Sequence, residues 1–346
     1  MSAEHFLIID EYGDLFSPNA DTKITSPEII QAYLKNIKLT DSFTLETTFE
    51  DETYIVEAFD HPLMIEKIEV HANKILIQAQ YQILFEADLN KFSVDDQDRF
   101  CGMTLSGAPF RLTEKSQEKL FANCDEYDDD SFTLSGLKIK TPPYYFENKD
   151  IQSAEYWQNV YHTEGKPGWD LQDSAEAFKD MIQRIKFPKC RVLVLGCGEG
   201  HDAALFAEAG HLVTAVDFSA EGIKRGTEKY QHLKNLTFVQ ENIFNLPQDW
   251  NFSFDVIIEH TFYCAIPTVQ RKNLVTLWRR LLHEEGQLMG VFFTMLKRSG
   301  PPYGASEYEL RRMLTPYFQF LFWGRWRQSL PRRQGKELFV LAKKRK

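Results

Sequence analysis

Three glycines and one acid carry the most legible chemistry in this chain. Gly196, Gly198 and Gly200 stand at alternate positions, and Asp217 follows 21 residues after the first of them. Glycine permits left-handed turns and close approach of a ligand to the backbone. A helix that starts just beyond such a loop presents unpaired N–H groups. A carboxylate at the end of the next strand can accept both hydroxyl hydrogens of a ribose. The set predicts a nucleoside-like cofactor. The dinucleotide fingerprint is G-x-G-x-x-G; here His201 stands where its third glycine would be. No P-loop lysine follows, which disfavours ATP and GTP. A ligand with a ribose and no phosphates, such as S-adenosylmethionine, fits better, although the glycine spacing alone leaves a dinucleotide open.

The elements that must position these residues follow from periodicity. The unbroken apolar run Val192–Leu195 reads as a strand buried on both faces. A helix from His201 to Ala209 ends at Gly210, and a second strand, Leu212–Val216, delivers Asp217. Next come a helix over 219–232 capped by Ser219, a strand over 236–240 and a strand over 254–258. A helix over 268–283, a strand over 287–295 and a short helix over 306–314 follow. Two strands, 318–326 and 337–342, are joined by a polar loop with Pro331 and Gly335. Alternating strands and helices predict a parallel sheet. The last two strands, with no helix between them, predict a closing antiparallel hairpin.

From Tyr156 onward the chain resembles the thiopurine S-methyltransferase family of class I methyltransferases, and within it the plant and fungal thiol/halide methyltransferases. Four segments carry the likeness: YWQNVYHTEGKPGWD (156–170), VLGCGEGHDAALFAEAGHLVTAVDFS (194–219), FDVIIEHTFYCAIPTVQR (254–271) and GPPYGAS (300–306). The resemblance implies an α/β fold: a seven-stranded, Rossmann-like class I sheet with a separate N-terminal α+β domain. It implies S-adenosylmethionine as cofactor and in-line transfer of its methyl group to a small soft nucleophile (a thiol, thiopurine, halide or metalloid). It further implies that Trp157, Tyr161 and Trp169 pack around the donor, an aromatic environment that suits a sulfonium cation. Gly196, Gly198 and Asp217 match the loop and ribose positions. Asn242-Ile243 stand where relatives carry Asp-Phe against the adenine, and Glu259-His260 where relatives carry Asp-Tyr near the transfer point.

Methyl transfer to a soft nucleophile relies on positioning and water exclusion rather than on acid–base chemistry. His260 is nevertheless a candidate base, since imidazole titrates near neutrality. A histidine at a strand end is more often a hydrogen-bonded structural residue. Cys197 between glycines reads as a small residue filling a turn, and Cys264 as pocket or core.

Composition bounds the rest. The 346 residues suffice for two cores. Residues 1–150 carry 29 acidic and 13 basic side chains, whereas 151–346 carry 21 and 27, which places a boundary near the Pro-Pro segment KTPPYYFENKD. The expected domains are 1–148, of unknown role, and 149–346, the methyltransferase. The net charge of −10 argues against nucleic acid as substrate. Five scattered cysteines show no metal spacing and suggest a reducing cytoplasm. The opening MSAEHFLIIDEYGD has neither a basic leader nor a long apolar stretch, so no signal or membrane span is expected. The acidic run 125–130 reads as a solvated loop, and the basic end 343–346 as a solubilising tail.

In the N-terminal part, Phe6–Asp10 reads as the start of a hairpin. Ser26-Pro27 reads as a cap and first turn for a helix over 27–37. Segments 43–49, 53–58, 63–70 and 74–86 read as strands. The pattern around IDEYGDLF resembles small proteins of the UPF0598 type, which implies no activity. A rival to the enzyme reading is a cofactor-binding regulator with a degenerate methyltransferase domain. Turnover with small thiols separates the two; donor binding does not.

Overall fold

A computed structural model describes residues 5–17, 22–41, 44–71, 74–95, 99–128, 131–140, 153–164, 167–185, 188–295, 301–330 and 333–346. The expected linker at 145–152, together with Gly300, Pro331 and the end of the acidic run, lies largely outside the described residues. Packing divides the chain into two compact units: residues 1–148 with 295–299 and 304–310, and residues 149–294 with 300–303 and 311–346.

The first unit is α+β. Its sheets have six, six and three strands, and their apolar faces converge on a core that includes Ile9, Leu34, Ile65, Ile77, Phe100 and Phe110. Ser26 caps the helix Pro27–Lys35 by accepting from the Ile29 N–H, with Pro27 at its first turn. The strand expected over 74–86 is interrupted. Tyr81 and Gln82 adopt left-handed φ of 60° and 59°, making a turn between Lys74–Ala79 and Ile83–Glu86. Gln80 is buried in that turn: its amide oxygen accepts from the Met64 N–H at 2.8 Å and its amide nitrogen donates to the Pro62 carbonyl at 3.1 Å. The helix Glu114–Ala122 and the strands from Ser93 to Lys140 were not foreseen.

The second unit opens with helices α1 (Ala154–Glu164) and α2 (Glu176–Arg184). Then follow β1 (Arg191–Leu195), α3 (His201–Glu208), β2 (Leu212–Asp217), α4 (Ala220–Lys229) and β3 (Leu236–Gln240). The chain continues through β4 (Phe254–His260), α5 (Arg271–Leu281), β5 (Leu282–Phe293), α6 (Glu307–Leu314, whose residues up to 310 belong to the first unit), β6 (Phe318–Arg325) and β7 (Glu337–Lys344). The seven strands form one sheet in the order β3-β2-β1-β4-β5-β7-β6. Strands β1 to β5 pair in parallel, and β7 pairs antiparallel with both β5 and β6. The closing hairpin is therefore present, with β7 inserted beside β5. Four of the five β1 residues are buried, as its unbroken apolar run requires.

Some boundaries differ from expectation. Helix α4 ends at Lys229 rather than near 232. A single 3-10 turn at 268–270 precedes α5, and β5 starts at Leu282, five residues early. Leu282 pairs with Phe254 and Gln287 with Val256, so the polar residues 283–285 fall in the irregularity between those two pairs. The core of this unit joins Val192, Val194, Phe206, Val213, Ile258, Met289 and Phe339 with Phe178 of α2.

Candidate active site

The carboxyl ends of β1, β2, β3 and β4 open on one cavity of about 650 Å³, formed wholly within the second unit. Ligands of open α/β sheets bind at such strand ends. All nine residues singled out from the sequence line this cavity: Trp157, Tyr161, Trp169, Gly196, Gly198, Asp217, Asn242, Ile243 and His260.

The glycine loop is locally determined. Gly196, Gly198 and Gly200 have φ of 61°, 52° and 80°, a region that L side chains rarely enter. Packing adds a second reason. A Cβ on Gly196 would lie 1.9 Å from the Phe262 ring, and one on Gly200 would lie 2.5 Å from the Phe238 ring. These two glycines thus make room for aromatic neighbours as well as for a ligand. Gly200 also starts α3 with no side-chain cap, which leaves N–H groups at the cavity wall.

Asp217 closes the loop. Its Oδ2 accepts from the Gly198 N–H and its Oδ1 from the Ser219 N–H, both at 2.9 Å. Burial pushes its pKa up, and these N–H donors oppose that rise. A carboxylate oxygen accepts more than one hydrogen bond, so both oxygens keep acceptor capacity toward the cavity.

The aromatic segment forms a cluster. Trp169 stands edge-on to Trp157 at 5.3 Å and to Tyr161 at 6.0 Å. Burial drives the Tyr161 phenol pKa far above its ordinary value. Helix α1 is held on α4 by Arg225, which donates to the Tyr161 carbonyl at 3.2 Å, pairs with Glu221 and Glu199, and lies over the Tyr161 ring. Asn242 also bonds the backbone of the turn that follows it. Its Oδ1 accepts from the Phe244 N–H at 3.0 Å and caps the turn 243–245, which fixes the side chain at the cavity wall and leaves the oxygen's second lone pair as an acceptor.

An acidic group stands nearby. His201 Nδ1 lies 2.6 Å from the Tyr230 hydroxyl, and its Nε2 lies 3.1 Å from Asp170. Ligand atoms of Asp170, Glu199 and His201 lie within 4.8 Å of one another, a spacing that suits a cation or an ammonium group.

His260 belongs to a buried relay. Its Nδ1 bonds Asp202 Oδ2 at 2.7 Å, while Asp202 Oδ1 accepts from the Ala175 N–H at the start of α2. Its Nε2 faces Arg333 Nη1 at 3.4 Å, and Arg333 also donates to Glu337 at 3.3 Å and to the Trp169 carbonyl at 3.0 Å. Burial disfavours the imidazolium, but the Asp202 carboxylate outweighs it and holds the His260 pKa above its ordinary value. Both ring nitrogens are engaged, which removes the free lone pair a general base needs. Burial pushes the Cys264 thiol up to about 12 and the Cys197 thiol well above its usual range, so neither is a thiolate near neutrality.

Asp202, Arg225 and Arg333 were not found from the sequence. Asp202 had a signal of sorts, an acid in the first turn of a helix. Arg333 had none, since it meets His260 across 73 positions.

Strand order, terminal hairpin, left-handed glycine loop and acid at the β2 end together define a class I S-adenosylmethionine-dependent methyltransferase. Its donor fits on the evidence of the residues: the cavity volume lies in the range of small-molecule sites, an acid stands at the ribose position, and aromatic faces and carboxylates suit a cationic ligand.

Comparisons with known proteins refine the class. The family model "Thiopurine S-methyltransferase (TPMT)" matches residues 152–341. The chain is 30% identical over 170 residues to probable thiol methyltransferase 2 of Arabidopsis thaliana, covering 47% of this chain and 73% of that protein. It is 27% identical over 222 residues to thiocyanate methyltransferase 1 of Arabidopsis thaliana, covering 62% and 95%. Among solved structures, a 1,6-didemethyltoxoflavin-N1-methyltransferase of Burkholderia thailandensis superposes with a TM-score of 0.47 at 18% identity, over 65% of this chain and all of that one. The chain belongs to the thiopurine S-methyltransferase family. It methylates a small soft nucleophile such as a thiol, with S-adenosylmethionine as the methyl donor.

Proposed function

We propose that residues 149–346 form the transferase domain and that its acceptor is a small thiol or a soft inorganic anion of the thiocyanate or halide kind. The observation that carries this is the state of His260: Asp202 and Arg333 occupy both ring nitrogens, which suits an acceptor that needs no base. The cavity wall beside it is largely apolar, built from Phe262, Ile266, Pro267 and Phe293 with Pro301 and Pro302. Such a wall excludes water and leaves the nucleophile poorly solvated, hence reactive.

The cofactor supplies a methyl group on a positively charged sulfur. The chain's own residues hold and orient it. Asp217 accepts from the ribose, Ile243 and the Asn242 turn flank the base, and Trp157, Tyr161 and Trp169 cover the sulfonium, a contact worth about 1 kcal/mol or more when desolvated. Gly196 and Gly198 shape the loop beneath it. The acceptor is a small molecule rather than nucleic acid. Among the described residues no helix is long and apolar enough to cross a membrane. The scattered cysteines support a place in the reducing cytoplasm.

The reading is tested by incubating the full chain with the donor and, one at a time, thiocyanate, iodide, a thiophenol and a thiopurine. S-adenosylhomocysteine is expected with at least one of them. Donor binding without turnover of any acceptor would favour the regulatory alternative.

A further inference from the structure

Helix α1 has little apolar surface to hold it in place. Tyr161 is its one buried side chain among the described residues, whereas Tyr156, Trp157 and Val160 are half-buried and line the cavity with it. Helices in proteins are held mainly by the apolar face they pack, and α1 buries a single ring. Its anchor is built on α4. The Tyr161 hydroxyl lies 2.8 Å from where a Cβ on Gly198 would stand and 3.3 Å from where one on Gly222 would stand. Gly222 belongs to the first turn of α4, and the Gly198 carbonyl oxygen is also 3.3 Å from that Cβ position. The absent side chain leaves a slot for the hydroxyl above the glycine loop. Further along α4, Arg225 grips the same tyrosine. It donates to the Tyr161 carbonyl at 3.2 Å and lies 5.3 Å from the ring centroid. Its Nη1 donates to Glu199 of the glycine loop at 3.2 Å and its Nε to Glu221 at 2.8 Å. Neither Arg225 nor Gly222 lines the cavity.

We propose that Arg225 and Gly222 are positioning residues for the methyl donor: they dock Tyr161, and α1 with it, over the glycine loop, and thereby set how tightly the donor is held. The inference rests on the reading in which Trp157, Tyr161 and Trp169 cover the sulfonium. Under it the donor binds well only when α1 is docked, so its apparent dissociation constant is the intrinsic one divided by the docked fraction. The guanidinium is the common donor to α1 and the glycine loop, through the Tyr161 carbonyl and Glu199. The Glu221 pair aligns it along α4, so the grip is in place whenever α1 returns. A planar fork reaches a carbonyl and two carboxylates while stacking on a ring; an ammonium group does not. Saturating donor pulls α1 back onto the loop, and Asp217 and the acceptor wall are untouched by either residue. Their effect therefore falls on donor binding and not on the transfer step.

The test measures S-adenosylmethionine affinity by calorimetry on the full chain, together with turnover of an acceptor from the panel. Arg225→Gln is expected to weaken the donor about tenfold and to raise its KM by the same factor, with kcat at saturating donor unchanged within about twofold. Arg225→Lys is expected to fall between the two. Gly222→Ala is expected to weaken the donor in the same direction while melting no lower than the unaltered protein, since alanine favours a helix over glycine. Hydrogen exchange separates docking from folding. In donor-free Arg225→Gln the amides of 154–164 are expected to exchange faster, with those of β1 unchanged and the difference erased by saturating donor. Unchanged donor affinity in a folded Arg225→Gln variant, a loss of kcat with KM unchanged, or equal exchange of 154–164 would overturn the proposal. Should Arg225→Gln not fold, donor affinity of Gly222→Ala decides. The covering role of the aromatics fails separately, if Trp157→Ala binds the donor as tightly as the unaltered protein.

Discussion

Asp217 shows what a single residue does at two levels. Its carboxylate ties the glycine loop to the start of α4 through the Gly198 and Ser219 N–H groups, and it turns the same oxygens toward the cavity. Asp217→Ala is expected to abolish measurable donor binding, because two charge-assisted hydrogen bonds at roughly 1.5–3 kcal/mol each are lost and the loop loses its anchor. Asp217→Asn should keep part of both. Unchanged calorimetric affinity in the alanine variant would sink the assignment. Asp217 was readable from sequence because its meaning depends only on local spacing after a glycine loop. The Asp202–His260–Arg333 relay was not, because its members come from a helix start, a strand end and a loop that only the folded sheet brings together. His260 alone suggested a base; its partners show an imidazole with both nitrogens engaged.

At the scale of elements, β4 ends in a turn stabilised by a buried acid. Glu259 is 1% exposed, and its Oε1 accepts from the Phe262 N–H at 3.1 Å and the Tyr263 N–H at 2.7 Å. Burial nevertheless pushes its pKa up to about 7 from 4.5. Below the lower value the acid is protonated in both folded and unfolded chains. Between the two values the folded chain holds a proton that the unfolded chain has lost, so stability falls as pH rises through this window, and the penalty is fully present above about pH 7. A glutamine keeps an oxygen for both N–H groups and carries no charge. Glu259→Gln is therefore expected to melt higher than the unaltered protein at about pH 8, by an amount worth at most a few kcal/mol, and to show little advantage at about pH 4. Equal loss of stability at both pH values would show that the ionised carboxylate is needed. Strand β1 was legible because a buried parallel strand is an unbroken apolar run, and β2 because only Thr214 interrupts its apolar residues before Asp217. The start of β5 was not, since His283, Glu284 and Glu285 are exposed and polar and lie in the irregularity between the Phe254–Leu282 and Val256–Gln287 pairs. The turn at Tyr81 and Gln82 was hidden for a related reason: it is set by a long-range amide clamp from Gln80, without a glycine to mark it.

At the scale of the whole molecule, the division of the chain is only partly one of sequence position. Every residue lining the cavity belongs to the second unit, and all of them follow residue 151. A fragment beginning near residue 149 thus contains the complete sheet and the complete site. It also contains residues 304–310, which pack with the first unit. There the Glu307 N–H donates to Glu57 at 3.1 Å, the Tyr308 ring stands edge-on to Phe59 at 6.2 Å, and Leu310 is fully buried. The fragment is expected to fold and bind the donor, because no donor-binding residue is lost. It is expected to melt below the full chain, because Tyr308 and Leu310 lose apolar cover worth on the order of 25 cal/mol per Å². The charge excess of residues 1–150, acidic against a basic remainder, predicts lower solubility of the fragment as well. Circular dichroism, thermal melts and donor calorimetry on the fragment check these points together. A folded fragment that binds no donor would show that residues 1–148 complete the site. A fragment that melts with the full chain would show that residues 304–310 need no partner from the first unit.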